Sequence, residues 1–77
     1  MIVVDEFGRE IKVDSEVRDF IRKVNKYLSE YSLHCPQHGY VQGIISKIIV
    51  YKDGDMSAVI RCPQCGCYLS TILSYQL

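Results

Sequence analysis

Two short segments of this chain are almost the same: Cys35-Pro36-Gln37-His38-Gly39 and Cys62-Pro63-Gln64-Cys65-Gly66. They differ only in His38 against Cys65, and zinc accepts imidazole nitrogen and thiolate sulfur alike. Each segment is built as a tight turn that folds two donors together. Proline after the first donor presets φ for the turn. Glycine after the second permits positive φ, which lets backbone N–H groups point at the sulfur and spread its charge. Four donors, Cys35, His38, Cys62 and Cys65, therefore suit one tetrahedral zinc ion with bonds of roughly 2.0–2.3 Å. Such a set leaves no coordination position for water or substrate, so the expected Zn2+, one per chain, is structural and not catalytic.

Two neighbours are near misses. His34 directly precedes Cys35, so its side chain is expected to point away from the metal. Cys67 lies two residues past Cys65, where it competes for the metal or packs as a small hydrophobe beside the site. Two disulfides from the four cysteines would leave His38 and the Pro-Gln symmetry of the turns without purpose. Met1 is followed by Ile-Val-Val-Asp-Glu, with no basic leader region, and a reducing cytoplasmic setting is expected. No run approaches the roughly 18 apolar residues of a membrane span.

These donors need elements to carry them. At 77 residues the chain is expected to form a single domain whose core is too small to dispense with a staple. Residues 1–13 read as a short hairpin or interrupted strand, with Phe7-Gly8-Arg9 as the turn. Val17, Phe20, Ile21, Val24, Tyr27, Leu28 and Tyr31 recur at helical period, predicting an amphipathic helix over 15–31 that starts at Asp14 or Ser15. Residues 44–51 are rich in β-branched side chains. Lys52-Asp53-Gly54-Asp55 then reads as a hairpin turn. Alternation places Ile44, Ile48 and Val50 on one face of that strand and Ile45, Ile49 and Tyr51 on the other. Residues 67–77 fit either period, and Thr71-Ile72 favours a strand.

From about residue 34 to residue 75 the chain resembles the zinc-ribbon group, in which two Cys-Pro-x-Cys-Gly knuckles are joined by a β-hairpin. The departure is His38, a cysteine in most of that group. The resemblance implies an α+β metal-stapled domain. An N-terminal strand or hairpin and one helix (1–33) would pack on a three-stranded antiparallel zinc ribbon (34–77). A treble clef, with a helix after the second knuckle, becomes the better match if 67–77 is helical.

Function must then be sought on surfaces. No Ser/His/Asp set, paired carboxylates or phosphate loop is present, so no enzyme activity and no small-molecule substrate is expected. Nine basic and nine acidic residues give zero net charge, which argues against indiscriminate polyanion binding. A local stripe remains: Arg18, Arg22 and Lys26 fall at i, i+4 and i+8, with Lys47, Lys52 and Arg61 as further cations. Tyr40, Tyr51, Tyr68 and Tyr75 offer rings for stacking on bases, or for the core or an interface. The expectation is a non-enzymatic zinc-ribbon module associated with DNA or RNA, as in a small transcription-type regulator. The alternative is a protein-interaction module, as a homodimer or as a subunit docking on a larger complex. Nine Ile, eight Val and a single Ala suggest an archaeal or viral source.

Overall fold

A computed structural model describes residues 1–77. Strand β1 (Ile2–Asp5) leads through a turn to helix α1 (Ser15–Glu30). A small hairpin follows, β2 (Leu33–Cys35) and β3 (Gly39–Val41), and then β4 (Ile44–Val50), β5 (Met56–Arg61) and β6 (Tyr68–Leu73). A 3-10 turn, Ser74–Gln76, ends the chain.

The expected antiparallel strands are present as β4, β5 and β6, and the 67–77 segment forms strand β6 followed by the 3-10 turn, with no α-helix. The sheet is larger than expected, however, because β1 joins it in parallel beside β4, giving a mixed sheet ordered β1-β4-β5-β6. The N-terminal hairpin reduces to one antiparallel bridge, Val4 with Glu10. Its turn is nevertheless well made. Asp5 accepts from the N–H groups of Phe7 and Arg9, and Gly8 sits at φ +83°. β4 lines one edge of β1, and residues 9–11 bond to the other, the Ile11 N–H to the Val3 carbonyl at 3.2 Å and the Asp5 N–H to the Arg9 carbonyl at 2.9 Å; the parallel pairing supports a strand that a two-stranded hairpin alone would leave marginal.

Helix α1 forms as its pattern requires. Asp14 is the N-cap, its carboxylate accepting from the Val17 N–H at 3.0 Å. Val17, Phe20, Val24 and Leu28 are buried against the sheet. There they meet Val3, Ile48, Met56, Ala58, Ile60 and Ile72 in one core. Tyr31 lies past the helix and is exposed, its ring packed on Tyr27 at 4.8 Å.

One expectation about β4 is corrected. The register shifts between Ile45 and Lys47, a bulge at Ser46. A bulge inserts one residue and reverses the alternation beyond it. Ile45 pairs with Ile60, Ile48 with Ala58 and Val50 with Met56, so Ile45 joins Ile48 and Val50 on the core face. Ile44 pairs with Arg61 and is half exposed on the outer face, together with Lys47, Ile49 and Tyr51.

Candidate metal centre

The site forms where two turns meet. The first turn is the tip of the β2–β3 hairpin, whose final pair is Cys35 with Gly39. The second follows β5, and there the Gly66 N–H donates to the Cys62 carbonyl at 2.8 Å. Gly39 and Gly66 take φ of +74° and +75°, the left-handed conformation that the sequence of each turn demands. The near-repeat in sequence is thus a near-repeat in backbone shape.

The turns bring the donor atoms of Cys35, His38, Cys62 and Cys65 within 4.8 Å of one another. The edges of this cluster can be tested against the geometry of zinc. Bonds of about 2.3 Å to sulfur and 2.0 Å to nitrogen place tetrahedral corners roughly 3.8 Å apart for two sulfurs and 3.5 Å for a sulfur and a nitrogen. The Cys35 and Cys65 sulfurs are 3.6 Å apart, and His38 Nδ1 lies 3.7 Å from the sulfurs of both Cys35 and Cys62. A three-sulfur, one-nitrogen set at these spacings fits zinc in donor chemistry and in size. Cys35 and Cys62 are buried, while His38 and Cys65 are exposed. The two inner donors are thus fixed by the fold and the two outer ones close the site from the solvent side.

Electrostatics follow the same arrangement. Burial opposes ionisation of Cys35, but the Cys67 thiol, the Gln37 N–H, and the ring and N–H of His38 outweigh it and bring the Cys35 thiol down to about 5. At Cys62 burial likewise resists, and the N–H groups of Cys65 and Gln64 prevail, lowering its pKa. His38 is raised by its contacts with the Cys35 and Cys62 sulfurs. A divalent cation would displace the remaining protons from such thiols and from the imidazole, taking the sulfurs as thiolates.

No family model, curated protein or solved structure matches this chain.

The remaining sequence-derived candidates fall apart in space. Arg18, Arg22 and Lys26 are exposed on the helix, and Arg22 reaches Asp19 at 3.0 Å. Lys47 and Arg61 register on the outer face of the sheet, opposite the helix, so the two sets of cations are separate surfaces. Arg61 also donates to the Gly66 carbonyl at 3.0 Å, tying β5 to the second turn. Tyr51 is turned to the buried Ser57 hydroxyl, 3.0 Å away, and serves the fold. Tyr40 and Tyr75 are exposed, and so is Tyr68, whose hydroxyl is 2.7 Å from that of Thr71. His34 is exposed and packs edge-on against Tyr40.

Cys67, expected to compete for the metal or to pack beside the site, lies against the cluster. Its sulfur is 3.3 Å from that of Cys35, closer than the Cys65 sulfur is. The hydrogen bonds it makes with Cys35 and then Cys65, with burial behind them, push its thiol up to about 12. The sequence signal for this was the one-residue gap in Cys65-Gly66-Cys67, where a positive-φ glycine returns the chain to the site.

Proposed function

We propose that the chain is a non-catalytic zinc-ribbon module. One zinc ion, held by Cys35, His38, Cys62 and Cys65, staples the β2–β3 hairpin to the β5–β6 connection. The module would associate with nucleic acid through Arg18, Arg22 and Lys26. The metal reading rests on the donor spacing and on the matched pair of glycine-closed turns. With four protein donors no position is left for substrate, which is why a binding role is preferred to a catalytic one.

A single observation carries the nucleic-acid reading. Three exposed cations follow one helix face over about 12 Å, and only Arg22 has an acidic partner. Like charges at this spacing repel, and a phosphate backbone would relieve them. Fluorescence anisotropy with single- and double-stranded oligonucleotides tests this. Binding should weaken with salt, and replacing all three cations by alanine should lower the slope of log K against log salt by about 2 to 3, near one per lost phosphate contact. Absent binding at low salt, or a slope unmoved by the triple variant, would defeat the reading.

The outer sheet face supports the second reading, a docking surface for a protein partner or a second copy. Ile2 and Ile44 are 51% and 49% exposed there, beside Ile49 and Val59. Sedimentation velocity at high micromolar concentration tests the homodimer. A monomer that also fails to bind oligonucleotides would leave docking on a different protein as the working reading.

A further inference from the structure

Beside the four-donor cluster stands one more sulfur, that of Cys67, 3.3 Å from the Cys35 sulfur. We infer that Cys67 is a reserve zinc ligand, placed to take over from Cys65. The inference rests on the zinc reading above and extends it to a residue outside the knuckle pattern.

The argument is geometric. Cys65 and Cys67 are both neighbours of the buried Cys35 sulfur, at 3.6 and 3.3 Å. Neither distance is long for two sulfurs on one zinc, whose separation is roughly 3.8 Å. Cys65 and Cys67 thus share the buried Cys35 as a neighbour, and exchange between them would pivot on Cys35 while the buried Cys62 keeps its place. Cys67 is also anchored independently of Cys65. Its carbonyl accepts from the Cys62 N–H at 2.9 Å, and its chain continues directly into β6, which starts at Tyr68. Losing the Cys65 sulfur therefore leaves the Cys67 backbone in position.

The exchange keeps the chemistry of the site. Cys35, His38, Cys62 and Cys67 again offer three sulfurs and one nitrogen, with the same charge. It also has a use. Cys65 is exposed while Cys67 is half-buried, so Cys65 is the sulfur that an electrophile reaches first. A reserve thiol behind it lets the fold keep its ion after that ligand is modified.

Cobalt(II) and zinc, each added alone to the full chain, provide the test, with affinities measured by chelator competition. C67S alone should bind one ion per chain with unchanged affinity. C65S should also bind one ion, weakened by no more than about 100-fold, the range of indirect perturbations of a metal site. Its cobalt absorption spectrum should keep the signature of three sulfurs and one nitrogen. C65S/C67S should lose at least a further 100-fold or so and show a two-sulfur spectrum. If C65S is as weak as the double variant, or shows a two-sulfur spectrum, the inference is wrong. If C67S alone loses the ion, Cys67 is a resident ligand and the inference is equally wrong. Should the unmodified chain bind neither metal, it is the zinc reading that fails, a result distinguishable from all of these.

Discussion

At the scale of single residues, the buried ligands should be the least replaceable. Cys62 is 1% exposed and Cys35 fully enclosed, so a serine there removes a donor and leaves no route for water to replace it. Cys62→Ser should lose stoichiometric zinc, by elemental analysis after gel filtration, whereas Cys67→Ser should not. Protons should compete with the metal in a defined direction. The Cys35 thiol, ordinarily near 9.0, is brought down to about 5 in the fold. A lowered pKa means that the folded form holds the thiolate while the unfolded form still holds the proton. That contribution is complete above about 9 and is lost as pH falls through about 5. Zinc, which needs the thiolates, follows the same sign. Chelator competition run between pH 8 and pH 5 should show zinc affinity falling steadily with pH; a flat profile would contradict the assignment of thiolate ligands. The donor set was legible in the sequence because ligand identity and turn chemistry are local: proline, glycine and two donors within five residues. Cys67 was harder to read, because its part depends on how far Cys35 lies from it across the fold, which no local spacing reports.

At the scale of elements, legibility tracked the same divide. Helix α1 could be read from its stripe and its aspartate cap. The β1–β4 pairing could not, since parallel partners are joined by a crossover and leave no turn signal. The bulge at Ser46 was equally silent, although it decides which isoleucines enter the core. Gly43 was missed as well. It needs no unusual φ, but a Cβ there would run into the Cγ2 of Ile60, with Leu33 and Leu69 close behind. Ile60 is fully buried and β-branched, so it cannot turn aside cheaply. Gly43→Ala should therefore destabilise by about 1–3 kcal/mol through overpacking, even though alanine is otherwise the better residue in a chain. Ile48→Ala tests the opposite defect. Its side chain has no solvent exposure, between β1, β5 and the helix, and a cost of about 2–5 kcal/mol is expected from urea titration of the zinc-loaded protein. A cost below 1 kcal/mol at either position would mean that the core is looser than its burial implies.

At the scale of the whole molecule, the parallel strand changes what metal loss should do. Read as two consecutive parts, an N-terminal strand and helix followed by a zinc ribbon, the chain would melt in two steps on chelation. The sheet forbids that separation. β1 comes from the first part and bonds along its length to β4 of the second, from Ile2 beside Lys47 to Asp5 beside Val50. The buried residues of α1 likewise share one core with β4, β5 and β6. That core is small: 15 of 77 residues are buried, and two of those, Cys35 and Cys62, belong to the donor cluster. A structural zinc ion contributes on the order of 10 kcal/mol in small domains, comparable to the whole stability of a typical one. The donor cluster lies at one end of the sheet, yet β5 runs directly into Cys62, so releasing the second turn would free the end of a central strand. Helix and sheet should then fall together. On titration with a strong chelator, the helical circular-dichroism signal and the amide protection of β4 and β5 should vanish at the same chelator concentration, and both should return when zinc is restored. A helix that outlasts the sheet, or a sheet that survives without metal, would show that the two parts are energetically separate despite the strand they share.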